Sequence, residues 1–306
     1  MGLSLYDIKK WTNMILGKSI MHVNQGIGKT YSKDEISGYY NDLTEKVTKD
    51  SDHYNETNVF PHKSETACEG VKDVFFPIAI FQYGLGSYDL YLMTKDELML
   101  DKFRSHAKWA LDNQAQDGSW DNFGFIYPDN KYSAMAQGEG CSLLLRAYLQ
   151  FRDEKYLIAA EKAIEFMLKP VNNGGTTLFD KEDVQLLEYT HLPLVLNGWI
   201  FAIFGLYDYV IQSNDKEYKK LLDKTVKSLE YKLSEFDCGY WSYYDDGRRI
   251  ASPFYHHLHV AQLRVLGDLF SNDVFCEYAD MWEKYESNKF YKLRAFIKKA
   301  IQKIVE

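Results

Sequence analysis

Four stretches of the chain are apolar almost all the way round a helix: PIAIFQYGLGSYDLYL, SAMAQGEGCSLLLRAYLQF, LVLNGWIFAIFGLYDYV and PFYHHLHVAQLRVLGDLF. They begin near Pro77, Ser133, Leu194 and Pro253, so a weak repeat recurs at roughly sixty residues, enough for two helices and their loops. A helix with no polar face has to be buried. Between them lie DELMLDKFRSHAKWALDNQ, EKYLIAAEKAIEFMLK and KEYKKLLDKTVKSLEYKLSEF. These are amphipathic: in the last, Tyr218, Leu221, Leu222, Thr225, Leu229 and Leu233 fall at helical spacing with lysines opposite.

Each outer helix leads into a Gly/aromatic segment: AQDGSWDNF, NNGGTTLF or DCGYWSYYDDG. Turn residues followed by β-formers predict small hairpins. The repeated order of outer helix, hairpin and inner helix describes an all-α-dominated fold. It is an incomplete α/α toroid of about four helix pairs, with short β-hairpins on one rim, where the inner helices begin. A ring of helix N-termini is electropositive and suits carboxylates. A peptide-binding solenoid of the tetratricopeptide kind has a shorter period and fits less well. The expected organisation is an N-terminal helix and irregular arm over residues 1–70, packed on a ring of residues 71–306. The arm's helix is expected near Tyr6–Leu16.

Composition changes this picture little. The 306 residues are 46% hydrophobic and 26% charged, which is globular. Twenty-four tyrosines and six tryptophans serve packing or a cleft whose aromatic faces stack on sugar rings. A net charge of −8 without a basic stripe argues against a nucleic-acid partner. Cys68, Cys141, Cys238 and Cys276 are scattered with no CxxC pair, which speaks against zinc and for a reducing, cytoplasmic setting. No apolar run reaches the length of a membrane span, and Asp7, Lys9 and Lys10 make the N-terminus a poor signal peptide. The Gly17-Lys18-Ser19 and Gly28-Lys29-Thr30 triplets end like phosphate loops. Thr12 and Val23 stand where each would need its first glycine, so both read as chance.

SPFYHHLHVAQL, residues 252–263, holds three of the eight histidines. Ser252 is a good N-cap and Pro253 a good first helical residue. Tyr255, His259 and Gln262 then share a stripe, His256 flanks it and His257 points away. Three readings stand: structural histidines, a metal site lacking an obvious third ligand, or an acid/base and substrate-binding face beside Tyr255. Two further rim segments carry suitable groups. Glu188 and Tyr189 precede one inner helix. Trp241, Tyr243, Tyr244, Asp245, Arg248 and Arg249 precede the next, with Arg248 able to clamp a carboxylate.

The motifs SAMAQGEGCSLLLRAY, EYTHLPLVLNGWIFAIFGLYDY and FYHHLHVAQL, in that order, resemble the C-terminal domain of D-glucuronyl C5-epimerases, and PIAIFQYGLGSY is similar to the helix before them. The resemblance spans roughly residues 70–270 and implies conversion of glucuronate to iduronate in heparosan-like polysaccharides, on an α/α toroid. It implies catalytic roles for Glu188, Tyr189, Tyr244 (with Tyr243 as the competing alignment) and Tyr255. Gln137, Asn197, Arg248, His256 and His259 are then substrate-contacting positions, and Tyr83 and Trp241 aromatic ones. Thr190 stands where the family has proline. No metal or other cofactor is implied. The expected partner is a uronate-containing glycan, with a homodimer as an assembly open to it. The animal enzymes carry β-rich domains ahead of this one, whose place the arm or a partner subunit would take. A uronate lyase sharing the first proton abstraction and a non-catalytic glycan-binding protein are the alternatives.

Overall fold

A computed structural model describes residues 23–49, 62–63 and 74–305. The expected helix at Tyr6–Leu16, the first phosphate-loop triplet and Cys68 lie outside the described residues. After a short helix α1 (Thr44–Thr48) and a two-residue pairing of β1 (His62–Lys63) with β2 (Val74–Phe75), the chain alternates inner and outer helices. The inner ones are α2 (Pro77–Thr94), α4 (Ala134–Phe151), α6 (Leu196–Ser213) and α8 (Pro253–Phe270). The outer ones are α3 (Glu97–Asp112), α5 (Glu154–Met167), α7 (Lys216–Lys232) and α9 (Asp273–Ser287). Each outer helix packs on the inner helix before it, and α2, α4, α6 and α8 follow one another side by side. This is an incomplete α/α toroid.

One device repeats at every inner-to-outer turn. Lys95, Arg152, Asn214 and Ser271 each adopt a left-handed conformation, with φ between 50° and 57°. The next residue, Asp96, Asp153, Asp215 or Asn272, then caps the outer helix through its side chain. A left-handed residue followed by an Asp/Asn cap reverses the chain in two residues. Three of the four inner helices start on Ser or Pro, with Ser133 accepting from Ala136 N–H and Ser252 from Tyr255 N–H. Helix α6 has no such cap; the Leu196 N–H donates to the Tyr244 carbonyl instead, at 3.1 Å.

The rim departs from expectation in one place. NNGGTTLF does enter an antiparallel hairpin, β3 (Thr177–Asp180) with β4 (Asp183–Leu186). DCGYWSYYDDG forms isolated bridges, Asp237 to Ser242 and Tyr243 to Ile250. AQDGSWDNF contains no strand; its turn closes with Gly118 at φ 89°, where a Cβ would strike the Lys162 carbonyl. A segment docked that tightly on α5 has no free edge to pair.

The described part of the arm, residues 23–49, packs against the C-terminal halves of the inner helices. Arg146 of α4 and Asp208 of α6 form a fully buried ion pair at 2.6 Å. Asp208 also accepts from Ser142 Oγ and, at 2.6 Å, from Tyr40 OH, and Arg146 donates to the Ser37 and Gly38 carbonyls. Asp89 of α2 accepts from Tyr39 N–H and Thr30 Oγ1, while Tyr31 and Lys33 reach Asp268 of α8. Lys29 pairs with Asp42. The second phosphate-loop triplet is thus part of this arm packing. The opposite ends of the inner helices carry the candidate site.

Candidate active site

Residues 194–196 and 244–246 are zipped together. Leu194 N–H donates to Asp246 Oδ1, Asp246 N–H to the Leu194 carbonyl, and Val195 bridges Asp245. This pairing brings the loop of Glu188 and Tyr189 against the loop of Tyr244, directly at the first turn of α6. Tyr255 arrives from the first turn of α8, placed there by the Ser252–Pro253 start. Four groups predicted from three separate segments therefore meet at one rim.

The Glu188 carboxylate is buried over α6, where a Cβ on Gly198 would lie 2.2 Å from Oε2. Tyr189 stacks on Phe123, with ring centroids 4.3 Å apart and planes 17° from parallel, and meets Tyr127 edge-on. The rings of Tyr244 and Tyr255 lie 4.7 Å apart, and Tyr244 hydrogen-bonds the Tyr255 oxygen. Burial holds all three phenols above the usual tyrosine range, and the charge of Glu188 pushes each further up. One cation opposes this at all three: Arg249, which lies over the Tyr244 ring at 5.3 Å. Its guanidinium is held by fully buried Asp245. The arrangement combines a carboxylate, protonated phenols and a fixed guanidinium. It can move a proton and stabilise a developing negative charge.

Several positions expected to contact substrate are placed elsewhere. Arg248 is exposed in a left-handed conformation at φ 62°, so the chain turns and its successor Arg249 points back to Asp245. Gln137 is fully buried and all used: Trp120 N–H donates to its Oε1, and its Nε2 donates to the Gly118 and Ala163 carbonyls. It ties the AQDGSW turn to the helices. Tyr83 stacks on His106 at 4.7 Å and accepts from Lys102 of α3, towards the outer layer. Trp241 is buried flat against His256, 3.7 Å between centroids, and its indole N–H donates to the Ala251 carbonyl. It is a packing residue, with no face left for a sugar.

The histidines follow suit. His256 Nδ1 accepts from Ser242 N–H at 3.1 Å, and Nε2 donates to the Trp282 carbonyl at 3.0 Å. His259 Nδ1 meets Ser242 Oγ at 3.0 Å. Both rings are fully buried and burial lowers their pKa, to about 4 for His256. They lock α8 to the 241–242 segment rather than lining an open face. His257 pairs with Glu286 at 3.2 Å, which raises its pKa. Asn197 stays at the site, in the first turn of α6, its carbonyl accepting from Gln262. No three His, Cys, Asp or Glu side chains among the described residues group to hold a metal ion.

Two groups were not singled out from the sequence. Arg249 is one: it stood beside Arg248 with the clamp expected of the latter, because a single left-handed residue decides which of two adjacent arginines faces inward. Glu139 is the other: it is fully buried on α4 and accepts from Gln82 Nε2 at 2.7 Å, and burial, with the charge of Glu188 adding to it, pushes its pKa up. The only signal for it was a carboxylate inside an otherwise apolar helix.

With this geometry in place, comparison with known proteins is informative. The family described as D-glucuronyl C5-epimerase C-terminus matches residues 106–284. A D-glucuronyl C5-epimerase of Caenorhabditis elegans is 31% identical over 216 residues, 61% of this chain and 35% of the relative. An uncharacterized protein of Methanocaldococcus jannaschii is 29% identical over 157 residues, 49% of this chain and 51% of that protein. The chain thus spans about a third of the first relative's length and about half of the second's. A solved chain described as UGL with dGlcA-Glc-Rha-Glc superposes with a TM-score of 0.47 at 12% identity, over 71% of this chain and 61% of that one.

Proposed function

The chain belongs to the D-glucuronyl C5-epimerase C-terminus family, and from that premise we propose that it is an isomerase that inverts C5 of uronate residues in a glucuronate-containing polysaccharide. The observation that carries the reading is the meeting of Glu188, Tyr189, Tyr244 and Tyr255 under one guanidinium, Arg249.

The reaction breaks the C5–H bond, moves its electron pair into the adjacent carboxyl group, and forms a new C5–H bond from the opposite face. The cost lies in the enolate-like charge. A guanidinium already fixed by Asp245 and neutral hydroxyl donors already in place offset it without reorganisation. Arg249 takes this role in place of Arg248, because Asp245 fixes it on the side of the tyrosines. The Glu188–Tyr189 pair serves one face of the sugar ring, and Tyr255, in hydrogen bond with Tyr244, serves the other. The protonated phenol donates as the carboxylate accepts, and the roles exchange in reverse. Tyr189, backed by buried Phe123 and met edge-on by Tyr127, is the half-buried aromatic next to Glu188 that would meet a pyranose ring.

The test is incubation with glucuronate glycans, scoring iduronate content and ultraviolet absorbance together. Iduronate with flat absorbance supports epimerisation. Rising absorbance with shorter chains assigns the site to a lyase, and no change in any uronate leaves a glycan-binding protein.

A further inference from the structure

The last helix, α10 (Lys289–Val305), differs from the rest. It carries six of the chain's 36 Lys and Arg residues and no Asp or Glu, in a chain of net charge −8. Asn288 caps it, accepting from the N–H groups of Phe290 and Tyr291. One face holds it to the 240–250 segment. Ala295 is buried with Tyr240, Trp241, Ile250 and Ala251, and Arg294 lies 3.9 Å over the Tyr240 ring. Lys298 Nζ donates to Tyr243 OH, Lys299 Nζ to the Ile250 carbonyl, and Gln302 joins Ile250 N–H and the Arg248 carbonyl.

The opposite face is apolar and turned outward: Phe290 is 69% exposed, Leu293 56%, Ile297 49% and Ile301 55%. These four recur at helical spacing, as one stripe. Lys289 and Lys292 are exposed along one flank and Arg294 along the other. An apolar stripe between cationic flanks is the layout of a helix lying in a lipid interface, where the stripe enters the acyl boundary and the cations meet anionic headgroups. A free polyanion would satisfy the cations and leave the stripe in water. A second copy would cover the stripe but, in a two-fold pair of α10 helices, set cationic flank against cationic flank with no acidic residue on the helix itself to answer it. No helix of the described residues is long and apolar enough to cross a membrane, so the helix would lie on the surface.

We propose that α10 docks this protein on anionic lipid surfaces, with Phe290, Leu293, Ile297 and Ile301 inserted and Lys289, Lys292 and Arg294 at the headgroups. This is independent of the proposed reaction. The attachment would bear on the rim, because α10 grips the loop of Tyr243, Arg248 and Ile250.

The test is co-sedimentation of the full chain with phosphatidylcholine vesicles, with and without phosphatidylglycerol. The expected result is binding only to the anionic vesicles, weakened by salt, and reduced by about tenfold or more in both Leu293→Asp/Ile297→Asp and Lys289→Glu/Lys292→Glu. Both pairs are exposed, and an unchanged thermal melt confirms that the variants fold. Equal binding by wild type and the aspartate variant, or none to either vesicle, overturns the proposal. Self-association lost in the aspartate variant without vesicle binding assigns the face to a second copy. Retention on a sulfated glycan lost only in the glutamate variant, again without vesicle binding, assigns it to polysaccharide.

Discussion

The carboxylate of Glu188 rests on the bare backbone of Gly198: a Cβ at that glycine would stand 2.2 Å from Oε2 and 2.6 Å from the Glu188 Cβ. One glycine in the first turn of α6 thus sets the position of the group that raises the pKa of three tyrosines. In Gly198→Ala the gain in helix propensity is opposed by a methyl group that must push the buried Glu188 side chain away from its Cβ outward, so stability should fall by about 1–3 kcal/mol. Turnover should fall on the order of 100-fold, the usual result of displacing a reacting group by about 1 Å. Steady-state kinetics beside a thermal melt checks both; wild-type turnover in a destabilised but folded variant would mean that the glycine serves packing alone.

Arg248 and Arg249 should separate cleanly. Arg249→Met removes the cation that acts on Tyr189, Tyr244 and Tyr255, and kcat should drop by about 100-fold or more. Arg248→Gly relieves a left-handed conformation at φ 62°; it should keep activity within about twofold and gain roughly 0.5–1 kcal/mol of stability. Kinetics and urea unfolding of the two variants make the comparison.

The adjacent His256 and His257 should titrate in opposite directions. Burial drops His256 to about 4, whereas Glu286 raises His257. Nitrogen chemical shifts at about pH 5.5 should therefore show His256 neutral beside a protonated His257, on either side of the free value near 6.5. The folded state binds fewer protons at His256 than the unfolded chain does. Its contribution to stability is complete above about pH 6.5 and is lost as pH falls towards 4. His257 contributes the reverse: its part is present below about pH 6.5 and lost as pH rises through its raised pKa.

The buried Arg146–Asp208 pair joins the arm to the ring. Arg146→Met would strand Asp208 with only Tyr40 and Ser142 as donors, at a cost of about 3–5 kcal/mol. It would also release the Ser37 and Gly38 carbonyls. Amide exchange should rise first in residues 30–42, ahead of α4 and α6; uniform loss of protection would contradict a specific tie to the arm.

Much of this was legible in the chain because burial writes itself into hydropathy. Helices α2 and α8 begin at the prolines that predicted them, and α4 begins immediately after its Ser133 cap. The four acid/base candidates came from the family resemblance, and the fold brings their loops and the first turn of α8 to one rim. What escaped depends on backbone conformation rather than side-chain type. The AQDGSW turn docks on α5 instead of pairing, and Gln137 spends its amide on that turn. Tyr83 and Trp241 were expected as aromatic substrate contacts, but each is stacked against a histidine inside the protein. The three histidines of α8 drew attention by number, yet His256 spends both nitrogens on Ser242 and the Trp282 carbonyl, and His259 turns its Nδ1 to Ser242.

The most direct measurement is C5 hydrogen exchange in heavy water on a glucuronate glycan, comparing wild type with Tyr255→Phe and Glu188→Gln. The account predicts deuterium at C5 of both glucuronate and iduronate, with the polymer intact, and loss of epimerisation in each variant by about 100-fold or more. Exchange at wild-type rate in both variants, or no deuterium at C5 with any glucuronate glycan, would contradict it.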